Sequence, residues 1–166
     1  MKKADQSITP ARSGPNAAAG GNGGITVLHV DDDPNDTALL QAASRKANVD
    51  FKLRNVQDGE EAIAYMSGVA AYADRSEYGM PSLVLLDLKM PRANGFEILR
   101  WIRQHTTLHR IPVVVLSGSE LQEDIRTAYA EGADSYLVKP LGFDALVEVI
   151  KNLSAFWLAA SAQKPI

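Results

Sequence analysis

Hydrophobic residues follow two alternating patterns along the chain, one typical of buried strands and the other of helices packed on one face. Short apolar runs that end abruptly at polar residues are typical of strands covered on both faces in a parallel sheet. The clearest runs are residues 82–86, followed by Asp87, and residues 113–116, followed by Ser117. We therefore predict two central strands at these positions.

Three further segments fit strands of the same sheet. Residues Ile25–Val30 form an apolar run that ends at three aspartates, and Ser135–Val138 ends at Lys139 and Pro140. Residues Phe51–Val56 alternate apolar and polar side chains, which is typical of an edge strand with one face in water. The pattern thus predicts five strands.

Between and after the strands, apolar residues recur at helical spacing, which predicts five helices. The first begins at Pro34 with Asp33 as its cap and runs to about Ala47, and the second opens at Asp58 and Gly59. Residues 67–81 are a longer connection, predicted to extend the second helix and then form a loop. In the first helix we expect burial of Leu39, Leu40 and Ala43. The apolar positions of the other helices are Ile63, Tyr65, Met66, Phe96, Ile98, Leu99, Trp101, Ile102, Leu121, Ile125, Ala128, Tyr129, Leu146, Ile150, Leu153 and Trp157.

Strands that alternate with helices predict a doubly wound α/β domain over residues 25–159. Crossovers between parallel strands are right-handed, so the helices cover both faces of one sheet. Residues 1–24 are rich in Gly, Ala, Ser, Pro and Asn, a composition that predicts a disordered leader, native or added during cloning. Residues 160–166 are interpreted as a C-terminal tail.

Composition excludes several classes of function. With 166 residues, 46% of them hydrophobic, the chain suits one domain with a sizeable core. Its net charge of −3 gives no electrostatic reason to expect nucleic acid binding. The absence of cysteine excludes disulfides, thiolate metal sites and a cysteine nucleophile. There is neither an apolar run of about 18 residues nor a secretory signal, so we expect a cytoplasmic protein without membrane contact.

Polar side chains close four of the five predicted strands, and the carboxyl ends of parallel strands meet at one end of the sheet. Three carboxylates brought together there repel one another by about 4 kcal/mol per pair at an effective dielectric of 20. A hard cation such as Mg²⁺ removes that repulsion. Together with an amine and a hydroxyl, the set predicts a receptacle for a phosphoryl group on a carboxylate. Its members are Asp31, Asp32, Asp87, Ser117 and Lys139.

On these residues, positions 25–157 resemble the receiver domain of two-component response regulators. The resemblance implies a flavodoxin-like sheet of order 2-1-3-4-5. It implies Asp87 as the phosphorylated aspartate, Ser117 as a switch residue that donates to the phosphoryl oxygen, and Lys139 as the family's invariant lysine. Such a domain is not an enzyme in the usual sense, since it shows only slow self-catalysed phosphotransfer and dephosphorylation.

The resemblance also implies a metal set and a switch. Mg²⁺, or Mn²⁺ in its place, is expected to bind Asp32 and Asp87 directly, Asp31 through water, and the backbone carbonyl of Lys89. Tyr136 lies at the position of the aromatic side chain that swings inward on activation. A cis peptide bond before Pro140 is expected.

Partners follow from the same resemblance. The phosphoryl donor is expected to be a histidine kinase, which docks against the first helix and residues 139–142. Phytochrome-type kinases are favoured by four features: Asp31-Asp-Asp-Pro-Asn-Asp36, the long connection before Pro81, Leu86-Asp-Leu-Lys-Met-Pro91, and Leu153-Ser-Ala-Phe-Trp-Leu158. Output is expected through another protein, onward phosphotransfer, or a homodimer. The dimer would form through the fourth helix, fifth strand and last helix, or through the C-terminal aromatic residues.

Several alternatives stay open. Asp33 is interpreted as a helix cap, the three histidines as structural or solvated, and Tyr136 fits plain packing as well as switching. Phe156 and Trp157 either complete the core or anchor a partner. A phosphatase of the haloacid dehalogenase type needs an acid where Lys89 stands, and no phosphate-binding glycine motif is present. The main rival function is a receiver-like protein-binding module that is never phosphorylated.

Overall fold

The computed structural model describes residues 24–90 and 94–158. The predicted leader (apart from Gly24), the C-terminal tail and Pro91 therefore lie outside the described residues. Within the described residues, strands and helices alternate as predicted. In chain order they are β1 (Ile25–Val30), α1 (Pro34–Ala47), β2 (Phe51–Val56), α2 (Gly59–Ser67), a 3₁₀ turn (Ala70–Tyr72), β3 (Leu83–Leu86), α3 (Gly95–Gln104), β4 (Val113–Ser117), α4 (Gln122–Ala130), β5 (Ser135–Val138), α5 (Phe143–Leu153) and a π-helical turn (Ser154–Leu158).

The strands form one parallel sheet in the order β2-β1-β3-β4-β5, which confirms the doubly wound, flavodoxin-like prediction. The register aligns the strand ends. Val30 of β1 pairs with Leu86 of β3, so Asp31 and Asp87 follow paired residues. Ser117 of β4 pairs with Val138 of β5, the residue before Lys139. We call this side of the sheet, where the strands end, the carboxyl end, and the opposite side the amino end.

Helices cover both faces of the sheet, and each face has its own apolar core. On one face α1 and α5 pack together over the strands, and on the other lie α2, α3 and α4. The first core is built from Val27, Leu40, Ala43, Leu83, Leu85, Val114, Leu116, Leu137, Val147, Ile150 and Leu153. Burial of this many aliphatic side chains, at roughly 1.5–3 kcal/mol each, is what holds the strand ends in register.

Helical spacing predicted the buried face of α1 but overestimated its width. Leu40 and Ala43 are buried, whereas the prediction for Leu39 is wrong because its side chain is 48% exposed. Consecutive helical residues are about 100° apart, so Leu39 points away from the stripe that contacts α5 and the sheet.

The connection between α2 and β3 is a loop and does not extend the helix, so that part of its prediction is wrong. Gly68 ends α2 in the left-handed conformation, at φ +65°, which glycine adopts without steric cost. The guanidinium of Arg75 then donates to the carbonyls of Tyr65 and Met66 in the last turn of the helix.

No helix in the described part of the chain is long and apolar enough to cross a bilayer.

Candidate functional site

Asp31, the residue after β1, is fully buried at the carboxyl end of the sheet. One carboxylate oxygen accepts the backbone N–H of Asp33 at 2.9 Å, which starts the turn into α1. The other oxygen accepts the Lys139 amine at 2.9 Å and lies 3.6 Å from Nε2 of His29. Although burial alone raises the pKa of Asp31, these hydrogen bonds outweigh it and lower the pKa to about 2. Asp31 is therefore an anion at neutral pH.

Asp87, the residue after β3, is 7% exposed and lies beside Asp31. Burial raises the pKa of Asp87, the charge of Lys139 opposes that rise, and the charge of Asp31 adds to it. Its carboxylate is 3.5 Å from the Lys139 amine, which is longer than an ordinary hydrogen bond. Asp87 is thus less compensated than Asp31.

Three carboxylates meet at this point, as predicted. Asp31, Asp32 and Asp87 each offer an oxygen, and the three oxygens lie within 4.8 Å of one another. Buried like charges this close are unfavourable without a counter-charge. Hard divalent cations bind such carboxylate oxygens, so the donor set fits a divalent metal ion. The amide N–H of Lys89 lies 3.4 Å from the Asp87 carboxylate. The predicted contribution of the Lys89 carbonyl to metal binding stays a prediction.

Lys139 brings the positive charge to the same place from the end of β5. Its amine lies 2.9 Å from Asp31, 2.6 Å from Asp36 and 3.5 Å from Asp87. Burial on its own lowers the pKa of this amine, but the hydrogen bonds to Asp36 and Asp31 outweigh burial and raise it. The amine is therefore charged throughout the physiological range.

Asp36 is the charged residue at this site that sequence analysis missed. It lies in the first turn of α1, and its side chain is 34% exposed. The available signal was positional: the helix that follows β1 begins at the carboxyl end of the sheet, so acids in its first turn lie near Asp31. An acid in the first turn of a helix is usually explained by its favourable interaction with the helix dipole, so nothing in the sequence indicated a further contact of Asp36 with Lys139.

Ser117 ends β4 with its side chain buried, and its hydroxyl oxygen accepts the backbone N–H of Ser119 at 3.2 Å. The ring of Tyr136 is already inside the protein, 8% exposed, and its hydroxyl donates to the Ser119 carbonyl at 2.8 Å. Ser119 also donates to Asp124 of α4 at 2.5 Å. The loop after β4 thus links Ser117, Tyr136 and α4, while the predicted inward swing of Tyr136 stays a prediction.

The expected cis bond before Pro140 is wrong for this structure, because all peptide bonds are trans in residues 24–90 and 94–158. The trans isomer is intrinsically favoured before proline by about 0.5–1 kcal/mol. In this conformation the Lys139 amide donates to the Ser117 carbonyl at 2.8 Å, and its side chain still reaches the acids.

Of the three histidines, His29 is buried, and its contacts fit the predicted structural role. His29 lies inside β1, with Nδ1 3.3 Å from the side-chain amide of Asn55. His105 and His109 lie after α3, near one another and distant in the fold from the acids at the carboxyl end.

Comparison with known proteins identifies the class. The family model for the response regulator receiver domain matches residues 27–151. The chain therefore belongs to the response regulator receiver domain family.

Particular members of that family resemble the chain over most of its length. Response regulator Rcp1 of Synechocystis is 33% identical over 132 residues, which cover 80% of this chain and 88% of Rcp1. A solved structure of Rcp1 in its Mn²⁺-bound form has a TM-score of 0.71 at 32% identity, covering 81% of this chain and 94% of that one.

Two further solved structures are similar. Response regulator RPA3017, described in red light signalling of R. palustris, has a TM-score of 0.78 at 38% identity, covering 82% of this chain and 95% of that one. The phosphorylated cyanobacterial phytochrome response regulator RcpA has a TM-score of 0.74 at 36% identity, covering 81% and 94%.

Proposed function

We propose that this receiver domain takes a phosphoryl group from the phosphohistidine of a histidine kinase onto Asp87. The observation that carries the proposal is the convergence of three carboxylate oxygens within 4.8 Å, with the charged amine of Lys139 beside them. The Asp87 carboxylate lies 3.4 Å from the Lys89 amide and 3.5 Å from the Lys139 amine, both longer than the 2.9 Å hydrogen bonds of Asp31, so it is available as the nucleophile.

In the transfer, a carboxylate oxygen of Asp87 forms a bond to phosphorus as the phosphorus–nitrogen bond of the phosphohistidine breaks. The electron pair of that bond stays on the imidazole, which then takes a proton from solvent. Asp31, Asp32 and Asp87 would hold Mg²⁺, which when bound supplies positive charge against the phosphoryl oxygens. The acyl phosphate brings a charge of about −1.5 to −2 into the site.

Two side chains are placed to stabilise the negative charge of the phosphoryl group. Lys139 provides an ammonium group 3.5 Å from Asp87, and Ser117 ends the neighbouring strand with a hydroxyl that can donate. A shift of Ser117 toward the phosphoryl group would break its contact with Ser119, the residue that also binds Tyr136 and Asp124. Phosphorylation would in this way reach α4 and change the surface formed by α4, β5 and α5.

Exposed apolar side chains support protein partners on two surfaces. Beside the acids, Leu39 of α1 and Leu141 after Pro140 are exposed, and the latter fully so. They suit docking of the kinase's helix. Leu121, the residue before α4, and Tyr129 of α4 are 61% and 50% exposed, on the surface proposed to bind the output partner or a second copy. A phytochrome-type kinase is favoured because RcpA is described as a phytochrome response regulator.

Acetyl phosphate tests the proposal without knowledge of the kinase. With Mg²⁺ present, intact-mass spectrometry should show one added phosphoryl group on the wild-type protein, lost again slowly through self-catalysed hydrolysis. Asp87→Asn should remain unlabelled. The control is Asp50→Asn, since Asp50 is an exposed acid before β2 at the amino end of the sheet. An unlabelled wild-type protein would favour the binding-module alternative, and a label that persists in Asp87→Asn would refute the site.

A further inference from the structure

The Lys139 amine makes its shortest contact with an acid outside the group of three. Asp36 of α1 lies 2.6 Å from the amine, whereas Asp87 lies 3.5 Å away. The carboxylate of Asp36, on α1 at the surface of the site, thus holds the lysine ammonium group that Asp87 would need once it is phosphorylated.

We infer that Asp36 is a positioning residue, which keeps the Lys139 amine away from Asp87 until a phosphoryl group arrives. The inference rests on the proposed function, in which Lys139 serves the phosphoryl group on Asp87. It assigns Asp36 a role in setting how fast the site is phosphorylated.

Competition for one ammonium group is the physical basis. The amine has three hydrogens, and Asp36 and Asp31 take two of them in short, charge-assisted bonds. A third bond to Asp87 is stretched beyond the normal 2.7–3.2 Å range. A phosphoryl group with a charge near −2 attracts the amine more strongly than a carboxylate does. The lysine must then leave Asp36, and the cost of leaving adds to the barrier for phosphorylation.

A purely structural role for the pair would be to tie α1 to the segment after β5. The two helices α1 and α5 already pack together without it, because they share an apolar core through Leu40, Ala43, Val147 and Ile150. A second ion pair, Lys46 with Asp144, joins α1 to α5 farther from the acids. Its side chains are 59% and 92% exposed, so it provides a matched comparison for a surface tie.

The test compares rates of labelling by acetyl phosphate at saturating Mg²⁺. Asp36→Asn should be labelled about threefold to tenfold faster than wild type, the range expected for losing a partly buried charge pair. Asp36→Glu keeps the acid within reach of the amine and should return the rate to near the wild-type value.

Two control variants distinguish the loss of the Asp36–Lys139 contact from a general change in charge or in helix packing. Asp33→Asn removes a negative charge from the same end of α1 and keeps the helix cap, since asparagine caps as well as aspartate. Asp144→Asn removes an ion pair between α1 and α5 without touching Lys139. Both should stay within about twofold of wild type, as surface charge changes do.

The outcomes are distinguishable. If Asp36→Asn is no faster than Asp33→Asn, the inference is wrong while labelling of the wild type still supports the proposed function. A fast Asp36→Asn that Asp36→Glu does not slow would also overturn it. If the wild-type protein takes no label, the proposed function fails and the inference fails with it.

Discussion

Asp31 and Asp87 belong to one group of carboxylates, yet their pKa values are shifted in opposite directions. Asp31 has two hydrogen bonds of 2.9 Å, one from the Asp33 amide and one from Lys139, and these favour its charged form. Asp87 is buried without such bonds, so burial dominates and raises its pKa. The protein thus stabilises one acid as a fixed anion and leaves Asp87, the proposed phosphoryl acceptor, under-compensated.

This difference predicts how stability depends on pH. The folded-state pKa of Asp31, about 2, lies below its ordinary value of 3.8. Its contribution is therefore fully present above pH 3.8 and is lost as the pH falls through 2. Integrated over the shift, the contribution is about 2 kcal/mol.

Urea unfolding of proteins with Asp31 and with Asp31→Asn between pH 6 and pH 2 measures this contribution. The difference in free energy of unfolding should be constant down to about pH 4 and then shrink by about 2 kcal/mol toward pH 2. Both proteins carry Asp87→Asn in this comparison, because removing the charge of Asp31 would also lower the pKa of Asp87. A difference that stays constant over the whole range would contradict the assignment of the lowered pKa to Asp31.

At this scale the sequence revealed the acids and the lysine because each follows directly on an apolar run. Asp36 was not recognised, since its partner lies 103 positions away. Side-chain reach across elements leaves no periodic signal. The position of the Tyr136 ring could not be predicted from the sequence either, because its hydroxyl is held by a hydrogen bond to the Ser119 carbonyl.

At the scale of elements, the close contact of Gly95, at the start of α3, with the chain after β3 constrains the backbone of Asp87. The Gly95 amide donates to the Leu88 carbonyl at 3.0 Å, which brings the start of α3 against the end of β3. A Cβ atom on Gly95 would collide with the carbonyl oxygen of Asp87 and lie 2.7 Å from Cα of Leu88. Only glycine permits this approach.

Gly95→Ala should therefore weaken both the fold and the site. The new methyl group pushes on backbone atoms, so we expect a loss of about 1–3 kcal/mol in free energy of unfolding. Labelling by acetyl phosphate should slow because Asp87 is displaced. Gly118→Ala is the matched control: Gly118 also lies beside the site, after Ser117, but a Cβ atom there meets nothing within 4 Å.

Urea unfolding and the labelling rate measure the two effects. Gly118→Ala should remain within about 0.5 kcal/mol of wild type and label normally. Equal behaviour of the two alanine variants would show that the close approach at Gly95 does not constrain Asp87.

Elements were predictable where one pattern dominated. The central strands are almost wholly apolar and end at polar residues, so β3 and β4 were located to within a residue. The connection after α2 was not, because its structure depends on Arg75 reaching back to the Tyr65 and Met66 carbonyls. Main-chain acceptors are present in any sequence and give no compositional signal.

At the scale of the whole molecule, the two ends of the sheet differ in how their charged side chains are bonded. The carboxyl end collects partly compensated charges, while the amino end contains an arginine with several hydrogen bonds to main-chain and carboxylate oxygens. The Arg103 guanidinium donates to the carbonyls of Gly132, His109 and Ile111 and to the carboxylate of Asp134. Asp134 in turn accepts the Val113 amide at the start of β4. We call these contacts of Arg103 and Asp134 the clamp. The clamp joins α3 to the beginnings of β4 and β5.

Removing this clamp should lower stability and leave the chemistry intact. Arg103→Ala removes the guanidinium donor from three carbonyls and from the Asp134 carboxylate, which keeps only the Val113 amide, at an expected cost of about 3 kcal/mol. Arg100→Ala is the matched control, since Arg100 lies on the same helix and its side chain, paired with Glu131, is about half exposed, so its loss should cost much less than the loss of Arg103. Thermal unfolding measures the first effect, and labelling by acetyl phosphate at a temperature where both variants are folded measures the second. Because the clamp lies at the opposite end of the sheet from Asp87, folded Arg103→Ala should be labelled at the wild-type rate. A folded variant that had lost labelling would show that the two ends are coupled.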